Sequence, residues 1–217
     1  MIVDGQTNSL EEAVYLKLRE EILDGTLSSG EALGECAVAS RLGVSRTPIR
    51  GALHRLFEEG LVKITPNRGA VVVGVNADDL VGIYKIRMRL EGLASREAAA
   101  KISPEEKRKL SDAVELAEFY IQKKDTEHLK ELDTEFHSII YKASGNRLLC
   151  KTLSELHRNI TAYRKLSLSS GDRLLSSVKE HRDILNAIIS GDGELADRLT
   201  SLHIEAALEN LLKVAIR

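Results

Sequence analysis

The chain has 217 residues with 43% hydrophobic content, 4% aromatics and no Trp, so Leu, Ile, Val and Ala must fill the core of one large or two small domains. No apolar run reaches the roughly 18 residues of a membrane helix, and the acidic start MIVDGQTNSLEE has no signal-peptide core, so a membrane protein is excluded and a cytoplasmic one expected. A net charge of −2 excludes a uniformly basic nucleic-acid binder.

The charge is unevenly spread. Residues 1–35 carry Lys17 and Arg19 against eight acids, whereas residues 36–75 carry Arg41, Arg46, Arg50, Arg55, Lys63 and Arg68 against Glu58 and Glu59. The remainder is neutral. A local basic patch can grip DNA phosphates while the whole protein stays near neutrality. Cys36 and Cys150 form no CxxC pair and read as reduced structural thiols.

In chain order, Ser9–Leu23 reads as a first helix, capped by Asn8 or Ser9, with Leu10, Val14, Leu18 and Ile22 as its buried stripe and Ala13 and Leu16 widening it. A short helix follows near Glu35–Leu42, and Gly43-Val44 makes a turn. Ser45 is the expected N-cap of the next helix, with Pro48 tolerated in its first turn. Ile49, Ala52, Leu53, Leu56 and Phe57 are its expected buried face, and Gly60 its stop. Leu61–Thr65 and Ala70–Val75 read as strands joined by Pro66-Asn67-Arg68-Gly69, a hairpin.

Residues 1–75 therefore read as a winged helix-turn-helix, residues 76–79 as a linker, and residues 80–217 as an all-helical bundle, giving a mainly α protein. The bundle helices are expected at Leu80–Lys101, from Ser103-Pro104-Glu105-Glu106 to about Lys123, and at Thr126–Ala143. Further helices run from Asn146 to about Leu166, over Ser177–Ile189 and over Glu194–Val214, with residues 168–171 as a loop.

A helix-turn-helix inserts the start of its second helix into the major groove. Arg46, Thr47 and Arg50 lie there, off the Ile49/Leu53 face. Arginine can bond guanine bidentately, and threonine can meet a phosphate or a thymine methyl. Arg68 tips the hairpin, within reach of the backbone or the minor groove.

These residues also carry a resemblance. LGVSRTPIRGAL, EEGLV and PNRGAVV make residues 10–75 similar to the winged head of the GntR family of bacterial transcription regulators. The resemblance implies operator contacts from Arg41, Ser45, Arg46, Thr47 and Arg50, with Arg68 and Gly69 in the wing. Gly51 departs from the family's usual Glu, and Gly34-Glu35-Cys36-Ala37 varies its lead-in.

Asp133 and His137 are i and i+4 on one helix, beside the stripe Leu129/Leu132/Phe136/Ile139/Ala143. His181 lies on the Val178/Leu185/Ile188 face, and His203 lies between Leu199 and Ala206. Burying three imidazoles and a carboxylate needs compensation, which a shared divalent metal supplies. Three N ligands and one O ligand suit Zn²⁺ and also admit Ni²⁺, Mn²⁺ or Fe²⁺. Taken singly, each histidine reads better as a satisfied core or surface residue than as a ligand, and the Asp133–His137 pair also reads as a surface ion pair; the set is stronger than its members.

IYKIRMRLEGLASREAA, LDTEFHSIIYKASGN, EHRDILNAIISGD and ADRLTSLHI make residues 80–217 similar to the FCD effector domain of the FadR-type subfamily. That resemblance implies that Asp133, His137, His181 and His203 hold a metal, and that the effector is a small organic acid or sugar acid. Arg87, in Tyr84-x-x-Arg87-x-x-x-Glu91, is the candidate effector anchor or, alternatively, an ion-pair partner of Glu91. Asn159 and Tyr163 are candidates to line the same cavity by helix phase. His54, His128 and His157 match no role and read as surface or packing residues.

The expected function is a ligand-responsive transcription regulator, in the family habit a repressor, acting as a homodimer on a palindromic double-stranded operator and touching no membrane. A metal-dependent hydrolase is the alternative from a different class, although no general base stands at a defined spacing. A regulator with a purely structural metal is the third reading.

Overall fold

The computed structural model describes residues 4–65, 69–74, 77–160 and 171–215. The chain divides into two compact units, Met1–Ala77 and Asp78–Arg217. Among the described residues no helix is long and apolar enough to cross a membrane.

The first unit is a winged helix-turn-helix. Helix α1 spans Asp4–Leu23, five residues longer at its start than the Ser9 cap predicts. No proline precedes Pro48, so nothing in the sequence stops the helix earlier. Its buried stripe is Val14, Tyr15, Leu18 and Ile22; Leu10, Ala13 and Leu16 face solvent instead. Helices α2 (Glu35–Leu42) and α3 (Arg46–Glu58) flank a turn in which Gly43 adopts φ 68°, a conformation that favours glycine. In α3, Ile49, Ala52, Leu53 and Leu56 are buried as expected, but Phe57 is 47% exposed.

The wing holds three strands rather than the two read from sequence. Strand β3 (Gly69–Val72) lies between β1 (Ala32–Leu33) and β2 (Val62–Thr65), both antiparallel to it. Two residues between Gly30 and Gly34 show no alternation, so β1 carries no sequence signal. Gly69 has φ +77°, and a Cβ there would stand 3.0 Å from the Leu33 carbonyl oxygen. The glycine thus permits both the backbone conformation and the close approach of β1.

The second unit is all-helical in its described residues. Helices α4 (Ala77–Lys101), α5 (Pro104–Lys123), α6 (Thr126–Ala143), α7 (Arg147–Asn159), α8 (Gly171–Ser190) and α9 (Gly193–Ala215) follow in order. Helix α4 begins at Ala77, so most of the expected 76–79 linker is helical. Helix α7 ends at Asn159, short of the expected Leu166; residues 161–170 lie outside the described set. Helix α8 starts at Gly171 rather than Ser177. Caps explain the sharper boundaries. Ser103 and Glu106 form a capping box, the Asp125 side chain accepts from the His128 N–H, and Asn146 accepts from the Leu149 N–H. Phe136, Ile140, Leu153, Ile184, Leu185 and Ile188 anchor the core, at 2% exposure or less.

Candidate functional site

In the first unit, the start of α3 presents Ser45, Arg46, Thr47 and Arg50, all exposed. Ser45 occupies the N-cap position in an extended conformation, but its side chain makes no capping hydrogen bond. The arginines are held by acids of the head itself. Arg46 Nη2 donates to Glu35 Oε2 at 3.0 Å, and Arg50 donates through Nε and Nη2 to both Glu35 oxygens at 3.2 and 3.1 Å. Hydrogen bonds from Arg50 and then Arg46 hold the Glu35 carboxyl below the usual range. Arg41 pairs bidentately with Glu21 at 3.0 and 2.7 Å. Arg68 lies outside the described residues.

Gly51, the departure from the family pattern, faces the tip of the Glu11 side chain, whose nearest oxygen would lie 2.0 Å from a Cβ there. That tip is the end of a flexible, part-exposed side chain that can turn aside, so the structure gives no steric reason for the glycine.

In the second unit, the four residues on α6, α8 and α9 meet. Asp133, His137, His181 and His203 are all buried, and each offers a ligand atom within 4.8 Å of every other. His203 Nε2 lies 3.3 Å from His137 Nε2 and 3.4 Å from His181 Nε2, and His181 Nε2 lies 3.6 Å from Asp133 Oδ1.

The outer contacts decide what these nitrogens can do. His137 Nδ1 sits 2.8 Å from Glu91 Oε2, off the ideal hydrogen-bond direction, and His203 Nδ1 sits 2.6 Å from Glu180 Oε2. A carboxylate only accepts, so the His203 Nδ1 carries the proton and its Nε2 keeps a lone pair. Arg173 Nη2 also lies 3.3 Å from His203 Nδ1, where it cannot donate to a protonated nitrogen. The shorter contact to Glu180 governs, and Arg173 Nη2 donates to the His203 carbonyl at 3.2 Å instead. The Nε2 atoms of His137, His181 and His203 therefore converge on one point in the core, beside Asp133 Oδ1, as a donor set for a cation would. With a metal–nitrogen distance of about 2.1 Å, tetrahedral ligands stand roughly 3.4 Å apart, so the residues present fit a divalent ion.

The protonation states agree. Burial, and then the neighbouring His203, push the His181 imidazole well below its ordinary value; burial, His137 and Arg173 do the same for His203. Neutral imidazoles are the form that binds metal. The His181 ring stacks on Phe136 with centroids 4.0 Å apart, and Ser177 Oγ donates to Asp133 Oδ1 at 3.4 Å. These contacts fix ligand orientation.

Arg87 is 2% exposed and donates through Nε to Glu91 Oε1 at 2.6 Å, so the ion pair weighed from the sequence is present. Burial pushes the Glu91 carboxyl up, but Arg87 and His137 outweigh it and hold it well below the usual range. Glu91 thereby links Arg87 to His137. Asn159, the last residue of α7, is half-buried. Tyr163 lies outside the described residues.

Four residues around the cluster gain a place that the sequence does not give them: Arg173 and Glu180 have none there, Glu91 has one only as partner of Arg87, and His157 only as a surface or packing residue. His157, taken as a surface or packing residue, is 8% exposed, with Nδ1 3.4 Å from Tyr141 Oη and its ring centroid 5.8 Å from that of His137. Its signal was the stripe Leu149/Leu153/His157 at four-residue spacing. Arg173 and Glu180, joined at 2.7 Å, brace His203, and Glu91 braces His137. No spacing rule links these braces to the ligands they touch. His54 and His128 are exposed, as expected.

Comparison with known proteins agrees with both units. Residues 10–72 match bacterial regulatory proteins of the gntR family, and residues 82–206 match the FCD domain. The HTH-type transcriptional repressor RspR of Escherichia coli is 26% identical over 208 residues, covering 96% of this chain and 91% of that protein. A probable D-xylose utilization operon transcriptional repressor of Paenarthrobacter nicotinovorans is 31% identical over 189 residues, covering 87% and 82%. The solved structure of E. coli McbR/YncC shares the fold at 23% identity with a TM-score of 0.73, covering 94% of this chain and 97% of that one. The family and these relatives are transcription regulators rather than enzymes, which sets the hydrolase alternative aside. The chain belongs to the GntR family and is a DNA-binding transcription regulator with a C-terminal FCD domain.

Proposed function

We propose that this regulator acts in the cytoplasm as a homodimeric repressor on a palindromic operator, and that a divalent ion on Asp133, His137, His181 and His203 takes part in binding a small organic acid or sugar acid. The observation that carries the reading is the convergence of three buried Nε2 atoms and the Asp133 carboxylate, with the Nδ1 atoms of His137 and His203 turned to Glu91 and Glu180. Zn²⁺ suits this donor set best, with Ni²⁺, Mn²⁺ and Fe²⁺ also admitted. When bound, the ion supplies a Lewis-acidic anchor for an effector carboxylate.

The chain supplies the remaining recognition. Arg87, one carboxylate removed from His137, provides a buried cation for an anionic ligand, with Asn159 and Tyr163 as further polar contacts. A cleft of about 370 Å³ beside His203 is lined by Glu180, Asp183, Glu205 and Glu209 together with Leu199, Leu202 and Ala206. The four acids disfavour an anion in this cleft. Helix α4 begins at the unit boundary and carries Arg87 and Glu91, so a change of its pose at the cluster is passed along one continuous helix toward the head. The effector must bind the DNA-bound and free states with different affinity for this to act as a switch.

In the head, Arg46, Thr47 and Arg50 read base edges, while Arg41, Ser45 and the wing residues Arg68 and Gly69 hold the backbone. One head reads a half-site, which favours a two-fold dimer on a two-fold operator. The named role of the Paenarthrobacter relative favours repression and a sugar-derived effector.

The test measures binding to DNA selected by the protein from a random pool, with and without chelator and small carboxylates. A shift in DNA affinity caused by an acid only in the metal-loaded protein is the expected result. Thermal stabilisation by metal with no response to any acid makes the ion structural. Absence of sequence-selective binding at moderate salt, with Arg46→Ala and Arg50→Ala equal to wild type, overturns the reading of the head.

A further inference from the structure

We propose that Glu35 is a positioning residue for DNA reading, holding Arg46 and Arg50 in one geometry so that their free guanidinium edges meet the bases together. The inference rests on the base-reading role given above to these two arginines.

Arg46 and Arg50 stand i and i+4 on α3, so their side chains leave the same face. Unrestrained, two exposed arginines sample many rotamers, and each must be ordered when DNA binds. Here both converge on the first residue of α2, across the Gly43-Val44 turn. Arg50 uses its Nε/Nη2 edge on the two Glu35 oxygens, and Arg46 uses one Nη2 bond. A guanidinium has five donors in a planar fork. With the Nε/Nη2 edge of Arg50 on the carboxylate, its Nη1/Nη2 end keeps two parallel donors for guanine O6 and N7. The Glu35 side chain keeps 25% of its surface exposed, against 60% and 69% for the arginines, so the acid lies behind the basic tips. The lowered pKa of Glu35 keeps the brace charged at neutral pH. Glu35 also reduces the charge of the tip from two to one, weakening attraction to arbitrary phosphates.

The two contributions separate experimentally. Full-length wild type, Glu35→Gln and Glu35→Asp are each used to select sequences from a random duplex pool. Their affinities are then measured for the wild-type-selected duplex and a scrambled duplex over a series of salt concentrations. Glu35→Gln removes charge and brace; Glu35→Asp keeps the charge but is too short to reach both arginines. The expected result is a loss of discrimination of about fivefold or more in both variants, within what one bidentate base contact confers. In Glu35→Gln alone, the salt slope steepens by about 0.9 as the freed arginine takes a phosphate. Unchanged melting curves confirm that both variants fold. A steeper slope with undiminished discrimination shows that Glu35 only lowers the charge and overturns the inference. Wild-type discrimination in both variants overturns it too and leaves the reading of the head intact. If wild type selects no sequence, the reading of the head falls and the inference with it.

Discussion

The two units pair acidic and basic side chains at opposite extremes of exposure. Arg46 and Arg50 keep 60% and 69% of their side chains exposed while sharing Glu35; Arg87 and Glu91 keep 2% and 1%, with Glu91 shared between Arg87 and His137. An exposed pair gains little, because water competes and salt screens it, and its arginines keep free donor edges for a further partner such as DNA. A buried pair can take a further partner only while both of its members stay in place. Removing one member strands a charge in a medium that cannot solvate it, so the arrangement persists only if its polar groups are matched. The same chemistry thus makes a solvent-facing contact in one unit and a buried scaffold in the other.

The largest expected effect breaks the buried side of that contrast. Glu91→Gln leaves the Arg87 guanidinium without its counter-charge and should cost about 3–5 kcal/mol of stability, read from urea unfolding of the second unit's transition. A cost under about 1 kcal/mol means that water reaches Arg87 and that the pair is not a scaffold.

Next in size is the ion itself. Zn²⁺ at about 100 times its dissociation constant should stabilise chelator-stripped protein by about 2.7 kcal/mol, lost in His203→Ala. Equilibrium unfolding with defined free metal reads this, and elemental analysis should give one bound ion per chain. Equal stabilisation of His203→Ala would place the ion elsewhere.

This contrast also explains what the sequence could disclose. The head was legible because its determinants are contiguous: Ser45 to Arg50 sit on one helix start, and the Gly43 turn and Gly60 stop mark its bounds. The missed piece, β1, is defined only by pairing with β3 some forty residues away. The four metal candidates were reachable as polar residues on apolar helix faces, reinforced by resemblance. Their braces were not. Arg173 and Glu180 meet His203 across two helices, and Glu91 meets His137 across two more, so only packing brings them together. His157 reads from sequence as a surface or packing residue and is the latter; the choice waits on its neighbours, because a histidine on an apolar face has no fixed meaning until they are known. The expected burial of Phe57 failed: it has the right period but falls at the edge of the face, next to the end of α3.

A smaller effect tests whether burial, rather than membership of the second unit, makes the difference. The Ser103–Glu106 capping box lies in that unit but near its surface. Ser103→Ala should cost about 1 kcal/mol at pH 7, well below Glu91→Gln. The Ser103 side-chain and backbone hydrogen bonds hold the Glu106 carboxyl below 4.5 in the folded chain. Its contribution is therefore present above pH 4.5 and lost as the pH falls through the depressed value. Unfolding of wild type and variant from pH 7 downward should show the gap narrowing below 4.5. A gap that stays constant with pH assigns the cost to the Ser103 hydroxyl alone, without Glu106.

The smallest expected effect on stability belongs to Arg46→Ala. Its guanidinium makes a single bond to Glu35, and most of its surface already contacts water. The variant should unfold at the wild-type denaturant midpoint. Its binding should change instead: weaker affinity for the selected duplex, and relaxed preference at one base position if the contact is to a base. A phosphate contact would weaken all sequences alike and lower the salt slope by about 0.9. These outcomes divide the exposed charges of the head into readers and anchors. A shifted midpoint with unchanged DNA binding would make Arg46 a structural residue, and the head's charges would then behave like the buried ones of the second unit.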